Sequence, residues 1–281
     1  VIEAVHVGGA GTPLVLLHGA TSSWRAWRPV LPALERRHRV LAPNLAGHHG
    51  GPAVTGPPDQ VVPAIVDAVA TAMDDAGVGT AHLVGNSLGG WVALELARRG
   101  RARSVVALSP AGAWAEPADL DRLLRLFRAG GRLGRVPGAR VVLGVRPLRR
   151  LLLRQVAEHP ELLTRFDVDD LVDDLAGCEV LADLLAGASR AGALRPFTPD
   201  CPVLIAWGER DRMLPFARYG RPMLDAVHGA QLVRVPGVGH VPMGDAPRLV
   251  SSLVLRFTAR ADRAARAAAV PGPVSGAGRP A

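Results

Sequence analysis

The sequence contains no lysine. All 33 of its basic residues are arginine, set against 25 acids for a formal net charge of +8. A basic chain attracts polyanions without specificity. Zinc-finger spacing and aromatic RNA-recognition patterns are both missing, and the Ala- and Gly-rich composition reads as codon bias in a GC-rich genome, so no specific nucleic-acid partner is expected. Cysteine is nearly absent as well. Cys178 and Cys201 form neither a CxxC nor a zinc spacing and read as two free thiols of a cytoplasmic protein. No apolar run approaches the ~18 residues of a membrane span, and Val1–Ala4 lacks the basic-then-apolar pattern of a secretory signal. No membrane partner is expected. Aromatic residues are only 4% of the chain, with Tyr219 the single tyrosine, which favours an aliphatic pocket.

What is present is a globular composition, 48% hydrophobic and 21% charged, able to bury a sizeable core. Short apolar runs alternate with helical patterns. Strands are expected at 14–17, 39–42, 83–84, 104–108, 203–207 and 231–235. Helices are expected at 24–37, 61–76, 88–99 and 245–261. Continuous apolar strands alternating with helices indicate a parallel sheet covered on both faces.

From 113 to 195 the alternation stops and only helical patterns remain. Residues 120–155 hold ten arginines and one acid; residues 156–185 hold nine acids and one arginine. Helix faces of opposite sign can pair with each other, or some arginines can meet an anionic part of a substrate. Beyond Arg263 the chain turns Ala/Arg-rich and then reads PGPVSGAGRPA, a composition that reads as disordered.

The stretch HLVGNSLGGWVALELA places Gly85, Asn86, Ser87, Leu88 and Gly89 in a G-x-S-x-G pattern between a strand and a helix. A serine hydroxyl attacks only if it stands clear of its surroundings. A sharp strand-to-helix turn achieves that by straining the serine backbone, and the residues two before and two after must then be small. The helix start also leaves backbone N–H groups free for negative charge.

A serine needs a base. His240 follows the last expected strand in VPGVGHVPMG and could accept and return the Ser87 proton. A carboxylate would orient that ring. Asp211 in WGERDRMLP is preferred, with Glu209 as competitor. The backbone N–H groups of Ala20, after His18 and Gly19, and of Leu88 are candidate oxyanion donors. His18 itself reads as structural. Trp24, Trp27 and Trp114 each follow a strand-end loop and are candidates for the pocket mouth. No cluster of His and carboxylates suggests a metal, no glycine-rich phosphate loop appears, and no cofactor is expected.

Together LVLLHG, APNLAGHHG, GNSLGG, WGERD and GVGHVPM, in this order, resemble the α/β-hydrolase fold superfamily in its capped, serine-dependent branch. The resemblance implies an α/β fold with a mostly parallel eight-stranded sheet, helices on both faces and an inserted helical cap. It divides the chain into a core of 1–112 and 196–262, a cap of 113–195 and a tail of 263–281. It also implies Ser87 as nucleophile, His240 as base and Asp211 as third member, with Ala20 and Leu88 as oxyanion donors. Asn44 stands where the family usually has Asp, and GHHGG is longer than the usual turn. The expected function is hydrolysis of a small-molecule ester, thioester or lactone. GNSLGG is also similar to the elbow of carbon–carbon hydrolases of meta-cleavage products, but those usually carry Trp after the catalytic His, where this chain has Val241. A non-catalytic ligand-binding protein on the same fold is the third reading. An Asp elbow, as in epoxide hydrolases of this fold, is absent. Oligomeric state is left open.

Overall fold

The structure is a computed structural model that describes residues 2–133, 136–191 and 193–269. Among these residues seven strands form one sheet: β1 (Val5–Gly8), β2 (Thr12–Leu17), β3 (His38–Pro43), β4 (Ala81–Asn86), β5 (Ala102–Leu108), β6 (Val203–Gly208) and β7 (Gln231–Val235). Their order is β1-β3-β2-β4-β5-β6-β7. β1 pairs antiparallel with β3 and every other pair is parallel. The eighth strand implied by the resemblance is not among the described residues. β1 is one edge, with Val5 and Val7 exposed, and no described strand lies on the side away from β3.

The continuous apolar runs are explained by two covered faces, because successive side chains of a strand point to opposite sides. Val15, Leu17, Leu83, Val105, Ala107, Ile205 and Trp207 belong to one buried cluster, whereas Leu14, Leu16, Val84, Val106, Leu108, Leu204 and Ala206 belong to another. Helices α2 (Val61–Asp75), α3 (Leu88–Arg98) and α9 (Phe216–Ala226) supply the first. Helices α1 (Leu31–Leu34), α10 (Pro242–Asp245) and α11 (Pro247–Ala269) supply the second.

The expected helix over 24–37 is instead a 3-10 turn at Trp24–Trp27 followed by the four-residue α1. Pro29 and Pro32 lack the N–H that would continue one ladder. The closing helix runs to Ala269, so residues 263–269 are helical rather than disordered; 270–281 lie outside the described residues. A tertiary anchor carries the helix past 261. Asp262 accepts hydrogen bonds from Thr12 Oγ1 (3.3 Å), Arg103 (3.0 Å) and His82 Nε2 (3.2 Å). The Ala-rich sequence that follows is a good helix former.

Five helices fall between β5 and β6: α4 (Pro117–Leu133), α5 (Ala139–Gly144), α6 (Arg146–Leu153), α7 (Arg165–Ala176) and α8 (Leu181–Ala191). The pairing of a basic half with an acidic half is only partly realised. Arg140 pairs with Asp169 and Asp173, but Asp170 and Asp174 take Arg25 from the segment after β2, Asp170 also takes Arg28, and Glu158 takes Arg210 and Arg212 from the segment after β6. Much of the acidic charge therefore holds these helices to the rest of the protein.

At the amino-terminal ends of the strands, opposite the site described below, lies a buried polar cluster. His82 Nε2–H donates to the Asp262 carboxylate, so Nδ1 is the acceptor for the Ser104 hydroxyl (2.8 Å). His38 Nδ1–H donates to Thr12 O (3.0 Å), and its ring meets His82 edge-on at 5.6 Å. Burial lowers His82 to about 4 and lowers His38 as well. In the unfolded chain such rings titrate near ~6.5. Between that value and about 4 the unfolded chain binds more protons than the folded one, so stability falls as pH is lowered through this window. The urea midpoint is expected to fall between about pH 7 and about pH 4.5, and His82→Gln is expected to flatten that slope. A slope unchanged by the substitution would contradict a buried neutral His82.

Candidate active site

The carboxyl ends of the parallel strands gather the sequence-predicted residues, as open α/β sheets do at their ligand-binding edge. β4 ends at Asn86, and Ser87 follows with φ 54° and ψ −116°. This is backbone that L residues avoid, held here by surrounding bonds. Ser87 N–H donates to Leu108 O (3.0 Å), and Ser87 O accepts from Trp91 N–H (3.2 Å) and Ala111 N–H (2.9 Å). A Cβ on Gly85 would lie 2.1 Å from Gly89 O, and one on Gly89 would lie 2.1 Å from Leu17 O. The glycines are there because backbone passes against backbone.

Asp211 lies three residues beyond β6 and His240 five beyond β7. Both are buried, and His240 Nδ1 donates to Asp211 Oδ2 at 2.8 Å. The other carboxylate oxygen accepts Leu214 N–H at 2.7 Å, which fixes the acid. Glu209, the competitor, is exposed. A carboxylate only accepts, so Nδ1 carries the proton and Nε2 keeps its lone pair. No hydrogen bond joins Ser87 Oγ to His240 among the described residues; such bonds commonly tighten only around substrate.

Ala20, Ser87 and Leu88 line one small cavity of about 70 Å³, together with Trp114. Leu88 opens α3, where the first N–H groups have no partner within the helix. His18 is structural. Its Nδ1–H donates to Gly19 O (2.8 Å) and its Nε2 accepts Leu45 N–H (2.9 Å), pinning the Ala20 turn to the loop after β3. Burial, helped by the neighbouring His48, lowers it to about 3, so it stays neutral. The Asn44 departure has a reason of its own. Its Oδ1 accepts Trp24 N–H (2.8 Å) and its Nδ2 donates to Glu3 O (3.0 Å), a donation that an ionised Asp could not make.

Two candidates are corrected. Trp27 is fully buried in the α1/α11-side core, and Trp24 stacks on His6 (4.9 Å) with its indole N–H on Glu3 O (3.1 Å). Neither lines the cavity, because the 3-10 turn that carries them packs away from Ser87. Cys178 and Cys201 are free; burial raises both to about 11, which keeps them as thiols.

Three positions escaped sequence reasoning. Asn86 Nδ2 donates to both Leu108 O (3.1 Å) and His240 O (2.8 Å), tying the serine turn to the histidine loop. Asp245 accepts N–H bonds from Gly239 (2.7 Å), Glu158 (3.0 Å) and His159 (2.8 Å), while Val241 N–H donates to Val156 O (3.0 Å). The Glu158 carboxylate receives Arg210 and Arg212, the neighbours of Asp211, at 2.6 Å each. Burial pushes the Glu158 carboxyl up, but the bonds from Arg212 and Arg210 outweigh it and hold it below the usual range. The segment from Val156 to His159 thus grips the loops of both Asp211 and His240. Only the x of G-x-S-x-G hinted at Asn86. Asp245 and Glu158 left no signal.

A model of the alpha/beta hydrolase family matches residues 14–253. The chain belongs to this family. This alpha/beta hydrolase is 36% identical over 201 residues to epoxide hydrolase EphH of Mycobacterium tuberculosis, covering 69% of the chain and 92% of that relative. It is 29% identical over 288 residues to the 2-hydroxymuconate semialdehyde hydrolase of a Pseudomonas species, covering 93% and 92% of the two chains. Among solved structures it is similar in fold to a thermophilic esterase from Thermogutta terrifontis, with TM-score 0.69, 22% identity and coverage of 92% and 93%. No described helix is long and apolar enough to cross a membrane.

The backbone contact at the serine turn has a direct test. Gly89→Ala drives a Cβ into the Leu17 carbonyl, whereas at Gly79 a Cβ meets nothing within 4 Å. Gly89→Ala is expected to cost at least about 2 kcal/mol in chemical denaturation, and Gly79→Ala less than about 0.5 kcal/mol.

Proposed function

We propose that this alpha/beta hydrolase is a serine hydrolase that cleaves an ester, thioester or lactone through an acyl-enzyme. The reading divides the chain into a core of 1–112 and 196–262 and a cap of 113–195 that closes over Ser87. Its main support is the buried His240–Asp211 bond, which leaves Nε2 of His240 as a base at the strand-end edge that carries the strained Ser87.

In this mechanism Ser87 Oγ attacks the carbonyl carbon as His240 Nε2 takes its proton. The N–H groups of Ala20 and Leu88 hold the oxyanion. His240 then protonates the leaving oxygen or sulfur. Water adds to the acyl-enzyme by the same route, releasing the acid and restoring the serine. Asp211 stabilises the imidazolium that forms in each half-reaction.

Chemistry separates this reading from the epoxide hydrolase relative. A carboxylate that opens an epoxide leaves an ester that water can cleave. A serine oxygen would leave an ether, which the same machinery cannot hydrolyse. The carbon–carbon reading draws on the 29% identity to a hydrolase named for a muconate semialdehyde. That substrate carries a carboxylate, and no cation is among the described residues lining the cavity. The non-catalytic reading predicts binding without acylation.

A fluorophosphonate probe is expected to give one adduct, mapped to Ser87, that Ser87→Ala abolishes. Asp211→Asn is expected to leave the fold intact while lowering kcat by about 10⁴. Turnover retained in Ser87→Ala would overturn the mechanism.

A further inference from the structure

The cavity on Ser87 is lined by two helices of the insertion in a regular pattern. From α4 come Leu120, Leu123, Leu124 and Phe127, spaced i, i+3, i+4, i+7; from α8 come Leu181, Leu184 and Leu185, spaced i, i+3, i+4. Those spacings put one stripe of each helix on a single side. Arg122, Arg125 and Arg128 of α4 lie off this stripe. Arg122 is committed to the carbonyls of Met213 (2.9 Å) and Arg212 (2.7 Å), in the loop after Asp211. The remaining lining residues are apolar apart from the Ser87 hydroxyl and the indole N–H groups of Trp91 and Trp114, and among the described residues none is charged.

Resting on the serine-hydrolase reading, we propose that the cavity is the acyl subsite and that it takes a short, uncharged aliphatic acyl group. The anionic-substrate reading of the basic insertion is thereby set aside. An ionised group placed here would lose its hydration and find no counter-ion, a cost of several kcal/mol. The volume of about 70 Å³ is well below the ~300–1,000 Å³ of drug-sized pockets, so the leucine stripes also set an upper length. The specificity-determining residues are Leu124 of α4 and Leu184 of α8, both buried where the two stripes meet the cavity. Hydrolysis consumes the neutral ester and one water and yields an alcohol and a carboxylic acid. At neutral pH that acid ionises. No cation among the described residues lining the cavity retains it, so weak product inhibition follows from the same feature.

The test compares 4-nitrophenyl butyrate, pentanoate, hexanoate and hemisuccinate on the full chain. The hemisuccinate is close in size to the pentanoate and differs in its terminal carboxylate. The expected kcat/KM ratio of pentanoate to hemisuccinate is at least about 100, the consequence of burying one unpaired charge. Leu124→Ala and Leu184→Ala are each expected to raise the hexanoate-to-butyrate ratio about tenfold. Free butyrate is expected to inhibit only at concentrations far above the ester KM. A pentanoate-to-hemisuccinate ratio below about ten, with Ser87 labelled and esters turned over, overturns the subsite while leaving the serine hydrolase standing. No turnover of any ester and no adduct on Ser87 overturns the hydrolase reading and the subsite with it.

Discussion

The site depends on one close passage of backbone. The chain leaves β4, reverses at Ser87 and enters α3 with Gly85 pressed against Gly89 and Gly89 pressed against the end of β2. No side chain fits between these segments. The strain at Ser87 therefore persists because its own N–H and carbonyl are held by Leu108, Trp91 and Ala111, and because the alternative backbone would break those bonds. The same passage sets the start of α3 beside the Ala20 turn. It also puts Asn86 where its amide reaches the histidine loop.

Around this turn the helical segment between β5 and β6 does two things at once. Its leucine stripes face Ser87, and the segment from Val156 to His159 bonds the loops of Asp211 and His240. Ion pairs from Arg25 and Arg28 to α7 hold it at a further point. The charge asymmetry of the sequence serves this attachment.

Much of the core was legible because its signals are local. The apolar runs of β2 through β7, the glycine spacing around Ser87, and the positions of Asp211 and His240 past strand ends all follow from side-chain period and turn chemistry. The misses share a cause. Trp24 and Trp27 sit after a strand-end loop, as a pocket residue would, but two prolines shorten the helix behind them and turn them elsewhere. Residues 263–269 look like a tail by composition, but Asp262, gripping Thr12, Arg103 and His82, anchors the helix just before them and their Ala-rich sequence continues it.

The sequence by itself determined the alternation of strands and helices, the small residues at the serine turn and the chemical identities available to the site. Each of these is a property of a few neighbouring residues. Tertiary structure alone decided which tryptophan reaches the cavity and that Asn86, Asp245 and Glu158 hold the loops together. Those outcomes depend on contacts between residues far apart in the chain, such as Asn86 with His240 and Glu158 with Asp245. A hydrogen bond of that kind leaves no periodicity in the sequence, because its geometry exists only once the strand ends lie side by side.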